Sequence, residues 1–212
     1  MPRDSAATSE HRTFLAIAGL IATMRGGVTA LDLGGALGSA YVYLIDSLPA
    51  DRRVAYHVVD LEPACEEGRR LHAADPQITF HATLPSVRDL DVVYVNGALQ
   101  YVADYVGTMR ELAASRASVI LFTELPAGDF PTFATAQMNI DGRVGTWFFN
   151  RDELVVLMTD RDYVLVLDGR TAVPNDQSNL PARRRVTNYH TLLFCHRTWI
   201  DRIASVIRAV RQ

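Results

Sequence analysis

The sequence of 212 residues contains no lysine, so all 21 of its basic side chains are arginines. Against 24 acidic residues they leave a formal net charge of −3, which gives no support for nucleic acid as a partner. Only two cysteines are present, Cys65 and Cys195, and their spacing matches neither a metal site nor a disulfide framework. These scarcities predict a protein of the reducing cytoplasm that needs no metal ion.

Long hydrophobic runs are missing as well. The longest apolar stretch, residues 14–24, spans eleven residues, whereas a membrane-spanning helix needs about 20. The polar start of the chain does not have the pattern of a signal peptide. We expect no membrane insertion and a single domain, with an N-terminal helical segment at 1–28 and an α/β core at 29–212.

Glycine is concentrated where the sequence is most informative, in the segment TALDLGGALGSAY at residues 29–41. A short apolar run ends at Asp32, and Gly34, Gly35 and Gly38 follow before a stretch that can start a helix. Glycines there allow a sharp turn and let backbone N–H groups approach a ligand directly. This pattern predicts a nucleotide-type cofactor bound where the first strand meets its helix, although a tight turn without a ligand fits the glycines too.

A second acid supports the ligand interpretation. The strand candidate YHVVD ends at Asp60, which lies 22 residues beyond Gly38. A carboxylate about 20 residues after the glycines is typical of a group that binds the two ribose hydroxyls of a nucleotide. The alternative role for Asp60 is that of a turn or helix-capping residue.

Strand and helix patterns alternate along the rest of the chain. Further strands are expected at 77–81, 91–96, 118–123, 163–167 and 190–196, and helices at 63–73, 105–115, 152–159 and 199–210. Asn150 signals the start of the helix at 152–159. Such alternation predicts a three-layer α/β fold with a seven-stranded, mostly parallel sheet. Because no helix separates the last two strands, they should form an antiparallel hairpin at one edge. The last strand, which starts at His190, is expected to lie at the edge itself, which favours a structural role for His190.

This order resembles the Rossmann-like fold of class I S-adenosylmethionine (SAM) methyltransferases. The chain is similar in more detail to an uncharacterised bacterial family of methyltransferase-like proteins that is often linked to polysaccharide gene clusters. The resemblance rests on segments in a fixed order: LDLGGALGSAY (31–41), HVVDLE (57–62), TFHATLP (79–85), DVVYVNGALQYVADY (91–105), ELP (124–126), Gln137 and WFFNRDEL (147–154). One departure is Ala36, where many members of the fold carry glycine.

The resemblance implies SAM as cofactor and assigns its binding residues. Asp32 and the three glycines would surround the methionine moiety, and Asp60 would bind the ribose. The remaining cofactor residues implied are Leu61 on one face of the adenine, Thr83 and Leu84 at its edge, and Asn96 and Gly97 near the amino-acid portion.

The same resemblance places the methyl acceptor beside Gln100, Tyr101, Glu124, Gln137 and Trp147. In-line transfer from a sulfonium needs mainly a close and aligned nucleophile, and a general base only for a hydroxyl or a protonated amine. Glu124 is the first candidate for that base, with Tyr101 as an orienting group. Capping of a loop by Glu124, and core packing by Tyr101 and Trp147, are the structural alternatives.

The function expected is therefore methyl transfer from SAM to a small molecule such as a sugar or a biosynthetic intermediate. Two alternatives stay open: non-methylating chemistry, as in a cyclase or lyase, and a non-catalytic SAM-binding partner subunit. An NAD-dependent dehydrogenase is disfavoured because residues 34–38 lack the GxGxxG spacing. A homodimer is compatible with the sequence.

Overall fold

The computed structural model describes residues 11–87, 89–139, 142–172 and 177–210. Its α-helices are α1 Arg12–Arg25, α2 Ser39–Ser47, α3 Glu62–Leu71, α4 Tyr105–Ala114, α5 Arg151–Thr159 and α6 Arg197–Val210. Its strands are β1 Gly27–Leu33, β2 Arg53–Val59, β3 Ile78–His81, β4 Val92–Asn96, β5 Val119–Leu125, β6 Ala127–Gly128, β7 Phe133–Asn139, β8 Gly142–Asn150, β9 Tyr163–Ala172 and β10 Asn188–His196.

The main sheet has seven strands in the order β3-β2-β1-β4-β5-β10-β9. Strand β1 pairs with β2, and β2 with β3, in parallel, whereas β10 is antiparallel to both β5 and β9. The predicted α/β fold with a terminal antiparallel hairpin is thus confirmed. One detail of the prediction was wrong: β9 forms the edge, and β10, which carries His190, lies inside the sheet because it pairs on both sides.

The chain divides into two compact units, residues 1–94 and 95–212, with the division inside β4. In the first unit α1 buries Phe14, Ala18, Ile21 and Ala22, the spacing of one helical face. Phe14 stacks on Tyr94 with ring centroids 4.5 Å apart, and the Tyr94 hydroxyl lies 2.9 Å from Nδ1 of His11. Helix α1 therefore contributes directly to the core of this unit.

The second unit carries a small sheet that the sequence patterns did not predict. Strand β8 pairs in parallel with β6 and antiparallel with β7. A hydrophobic cluster forms next to it from Phe148, Leu180, Val186 and Tyr189, with Phe130 and Phe133 packed against them. At the end of β8, the predicted start of α5 is confirmed: the Asn150 side chain accepts from the backbone N–H groups of Asp152 and Glu153.

Candidate functional site

The glycine-rich segment forms a tight turn between β1 and α2. The backbone N–H of Gly34 donates to the carbonyl of Val59 at 2.8 Å and so fixes the start of the turn to the end of β2. Gly38 has a φ of +82°, and a Cβ there would lie 2.7 Å from Cδ1 of Ile78. A residue with a side chain would be strained at this position, and α2 begins directly after it with its backbone N–H groups close to the turn.

Asp32 lies at the base of the turn and is almost fully buried, with 2% of its surface exposed. Burial raises the pKa of this carboxyl to about 7, against the lowering effect of the Tyr56 hydroxyl, which donates to Oδ2 at 2.8 Å. A Cβ on Gly35 would lie 2.6 Å from the same Oδ2 atom. The turn is therefore closed directly over the carboxyl group.

Asp60 follows β2 and contacts the turn from the other side. Its Oδ2 accepts from the backbone N–H of Ala36 at 2.8 Å, and its Oδ1 accepts from the N–H of Leu61 at 2.7 Å. An ionised carboxylate offers about four acceptor sites, so each oxygen keeps one site for a further donor. Asp60 thus holds the turn, and its remaining acceptor sites are compatible with the predicted binding of two vicinal hydroxyls.

The other predicted cofactor residues of the first unit lie at the surface. Leu61, which precedes α3, is 77% exposed, an unusual value for a leucine next to a buried strand. Thr83 is exposed and Leu84 is half-buried in the segment after β3. Their side chains are accessible to a ligand, as the prediction requires.

In the second unit, β4 and β5 end in a compact polar arrangement. The Thr123 hydroxyl donates to Oδ1 of Asn96 at 2.6 Å, and the N–H of Gly97 donates to the carbonyl of Thr123 at 3.0 Å. The next residue of β5, Glu124, has a φ of +54°, which is rare for a residue with a side chain. Strained backbone of this kind is concentrated at functional sites.

Gly97 is the residue that allows this arrangement. A Cβ on Gly97 would lie 3.0 Å from Oε2 of Glu124 and 3.9 Å from Nε2 of Gln100. Gln100 is 5% exposed, and its Oε1 is buried without a hydrogen-bond partner in the described structure. A buried acceptor in that state costs about 1–3 kcal/mol unless a donor reaches it. Beside Gly97 the structure therefore places the Glu124 carboxylate, an acceptor, and the Gln100 amide nitrogen, a donor.

Tyr101 and Gln137 are brought together by a hydrogen bond. The Tyr101 hydroxyl donates to Oε1 of Gln137 at 3.0 Å, and the Thr146 hydroxyl lies 3.3 Å from the same oxygen. Tyr101 is 48% exposed, so it is not the core residue that the structural alternative described. Trp147 is half-buried against Tyr105, with ring centroids 5.3 Å apart, which agrees with a packing role.

Histidines form separate hydrogen-bonded groups. His57 Nδ1 lies 2.8 Å from the Thr79 hydroxyl and 3.3 Å from Nε2 of His81, and desolvation lowers the pKa of both imidazoles. His190 Nδ1 lies 2.6 Å from Oδ1 of Asp168. Within the described ranges no three His, Cys, Asp or Glu side chains are grouped to hold a metal ion, and no helix is long and apolar enough to cross a membrane.

Sequence reasoning missed the contribution of residues 177–186. Gln177 is buried and bonds both backbone groups of Val186: its Nε2 donates to the carbonyl at 2.7 Å, and its Oε1 accepts from the N–H at 2.6 Å. Arg185, in the arginine run 183–185, donates to the carbonyls of Leu180 and Ser178. No residue pattern predicts these bonds, because each joins a common side chain to a backbone group that many other residues could also contact.

Comparisons with known proteins support the fold. No family model matches the chain, and no curated protein matches it in sequence. Among solved structures, a candidate SAM-dependent methyltransferase from Listeria monocytogenes is similar, with a TM-score of 0.64 and 13% identity over 90% of this chain and 99% of that one.

Two further structures give the same result. A SAM-dependent methyltransferase from Mesorhizobium loti has a TM-score of 0.60 and 16% identity over 91% of this chain and 99% of its own. The 1,6-didemethyltoxoflavin-N1-methyltransferase of Burkholderia thailandensis, solved with 1,6-didemethyltoxoflavin and S-adenosylhomocysteine (SAH), has a TM-score of 0.57 and 20% identity over 91% and 79%. At these identities the likeness shows the Rossmann-like methyltransferase fold.

Proposed function

We propose that this protein is a SAM-dependent methyltransferase that acts on a small molecule. The observation that carries the proposal is the contact of Asp60 with Ala36 in the glycine turn, at 2.8 Å, beside the exposed Leu61. It joins a ribose-binding carboxylate, a backbone that can approach a ligand and an apolar surface for a base. The solved structures of the same fold support this chemistry because methyltransferases that use SAM are found among them.

The residues of the first unit fit the cofactor. The ribose would bind Asp60, the adenine would pack on Leu61, and the methionine portion would lie against the turn of Gly34, Gly35 and Gly38. Asp32 would support that turn without a direct path to the ligand through Gly35, since Gly35 covers its carboxyl group. Bound SAM supplies a methyl group on a sulfonium, which is transferred to a nucleophile in line with the departing sulfur.

In the second unit, we propose that Glu124 and Gln100 contact the methyl acceptor, together with Tyr101 and Gln137. Glu124 would take a proton from a hydroxyl or amine, and the buried Oε1 of Gln100 would accept a hydrogen bond from the same substrate. Trp147 stays a proposal as a wall of the acceptor site. Asn96 and Gly97 stay proposed as backbone contacts of the cofactor.

Calorimetry with SAH and with SAM tests the cofactor assignment. We expect binding in the micromolar range, about −8 kcal/mol, and we expect Asp60→Ala to weaken it by about 1.5–3 kcal/mol because a charged hydrogen-bond acceptor is lost. Asp51→Ala, at an exposed loop acid, is the matched control. Absence of binding heat with either ligand, together with binding of NAD, would overturn the proposal.

The reaction class is tested separately from binding. Formation of SAH from SAM in the presence of a small-molecule extract of the source cells supports methyl transfer. Conversion of an acceptor without consumption of SAM would support the cyclase or lyase alternative, and tight binding without turnover would support a partner subunit. The polysaccharide-linked family, a cytoplasmic location and a homodimer stay predictions from the sequence.

A further inference from the structure

The second unit contains a cavity that no sequence motif indicated. It has a volume of about 310 Å³, at the lower end of the range for small-molecule sites. One wall is strand β7 from Thr135 to Met138, a second is Phe148 of β8, and the third is the segment 177–180. The cavity is therefore built from the small sheet and from the loop that precedes β10.

The third wall is held in place by hydrogen bonds of the Gln177 amide and of the Arg185 guanidinium. Gln177 is bonded to both backbone groups of Val186, and the Arg185 guanidinium donates to the carbonyls of Leu180, at 2.8 Å, and Ser178, at 3.1 Å. Arg184 lies over the Phe133 ring at 4.8 Å. The shape of the wall is thus fixed by contacts within residues 133–186.

Among the residues that the structure describes, every side chain that lines the cavity is uncharged. Hydroxyls and amides come from Thr135, Gln137, Ser178 and Asn179, whereas the amide of Gln177 is bonded to Val186; the remaining described lining residues are apolar. Hydroxyl and amide groups both donate and accept hydrogen bonds, as the hydroxyls of a carbohydrate do. Phe148, the one aromatic residue in the described part of the lining, is 4% exposed, so it offers little surface on which a flat heterocycle could stack.

From this lining we infer that the cavity binds an uncharged, hydroxyl-rich molecule of about the size of a monosaccharide. The inference rests on the proposed function in one respect, because it takes this molecule to be the methyl acceptor or the part of it that is recognised. A charged ligand would lose hydration in the cavity without gaining an opposite charge from any of the lining side chains at 135–138, 148 and 177–180.

Gln137 connects the cavity with the acceptor residues already proposed. Its Oε1 lies 3.0 Å from the Tyr101 hydroxyl and 3.3 Å from that of Thr146, so its amide orientation is set from outside the cavity. With the oxygen held there, the Nε2 donor is the part of the side chain that serves a ligand in the cavity. Gln137 is consequently the specificity residue of this site.

The test compares sugars of the same ring configuration that are neutral, carry a carboxylate or carry an amine. Saturation-transfer NMR on the SAH-loaded protein would use methyl glycosides of the gluco, galacto and manno series, each as the neutral sugar, the 6-carboxylate and the 2-amine. We expect a neutral glycoside to bind at least tenfold more tightly than its carboxylate and its amine. Gln137→Leu should weaken that binding about five- to tenfold, the value of one neutral hydrogen bond, and leave the SAH affinity unchanged.

Two more variants, one in the lining and one outside it, distinguish a loss of ligand contacts from a folding defect of Gln137→Leu. Asn179→Ala removes an exposed amide of the lining and should also weaken glycoside binding, by about threefold or more. Arg183→Gln removes a charge of the arginine run at a residue outside the lining and should change nothing for a neutral sugar. Weaker carboxylate binding in Arg183→Gln would instead identify an anion site on the arginine run.

The possible failures are distinguishable. Tighter binding of a carboxylate or amine than of its neutral sugar overturns the inference, and so does the absence of glycoside binding to a protein that binds SAH. Binding of a neutral glycoside by a protein that binds neither SAH nor SAM supports the cavity assignment and overturns the proposed methyl transfer.

Discussion

The glycine turn of the first unit and the neutral cavity of the second are built by opposite means. The turn depends on backbone conformations that few residue types adopt, such as the φ of +82° at Gly38. The cavity is lined by common side chains on β7 and the loop at 177–180, and its shape depends on long-range bonds such as Gln177 to Val186. Special backbone leaves a signature in the sequence, whereas ordinary side chains in an unusual arrangement do not.

The largest expected effect separates the two regions by chemistry. Glu124→Gln should lower turnover about 10²–10⁴-fold, because the amide cannot accept the proton of the acceptor. The SAH affinity should be unchanged, and the rate of SAH formation from SAM with the acceptor is the measurement. Glu111→Gln, at an exposed position of α4, is the control. Normal turnover, or lost SAH binding, in Glu124→Gln would contradict the division of roles.

The next effect concerns the turn alone. Gly35→Ala places a methyl group 2.6 Å from Oδ2 of Asp32 and 3.1 Å from Cγ1 of Val58, so the turn must shift. We expect SAH to bind about a hundredfold more weakly, equal to about 2.7 kcal/mol and within the range for overpacking. Gly145→Ala, where a Cβ would meet no atom within 4 Å, is the control from β8. Equal SAH affinities for the two variants would show that the turn is not the cofactor site.

Asp32 predicts a dependence of stability on pH. The folded protein holds this carboxyl protonated up to about pH 7, while the unfolded chain ionises it near 3.8. Because the raised pKa makes the folded state bind more protons, the wild-type protein loses stability as pH rises from about 4 to 7. The amide of Asp32→Asn does not titrate there. The free energy of unfolding of this variant relative to wild type should therefore rise by about 2–3 kcal/mol between pH 5 and pH 8.

Urea unfolding of both proteins at the two pH values measures this difference. Asp91→Asn serves as a comparison, because Asp91 is also buried but forms a salt bridge with Arg25 and accepts from the N–H of Thr29 at 2.9 Å. A pH-independent gap between Asp32→Asn and wild type would mean that the carboxyl is ionised in the folded protein.

The smallest effect belongs to the wall of the cavity. Gln177→Leu leaves both backbone groups of Val186 without the bonds they make to Gln177, and we expect the free energy of unfolding to fall by about 2 kcal/mol. Urea denaturation is the measurement, with the exposed Asn179→Ala as a control that should stay near wild type. If Gln177→Leu changed the free energy of SAH binding more than the free energy of unfolding, the cavity wall and the glycine turn would not be separate in function.

The parts of the molecule that sequence predicted are those where local chemistry decides the structure. The glycine turn, Asp60 after β2 and the Asn150 cap of α5 each follow from the properties of a few neighbouring residues. Their residue types are almost obligatory, since few others turn the chain or cap a helix in this way.

The small sheet was missed for a physical reason. Strand β7 carries alternating Phe133, Thr135 and Gln137 on one set of positions and small residues between them, so its face preference depends on the partner strand and not on its own pattern. The dipeptide Asp141-Gly142 between two β-prone runs is a hairpin signal that could have been used. The link of Gln177 to Val186 had no such signal.

Ala36 gives the glycine turn a thermodynamic character of its own. Its φ of +47° lies in the left-handed region, which costs an alanine about 1–2 kcal/mol, while its N–H donates to Asp60. Glycine would remove that cost but would also let the free turn sample more conformations. With alanine, the loss of backbone entropy is borne during folding, and association with a ligand then starts from a shape already fixed. Such a turn gives up little further entropy when it binds.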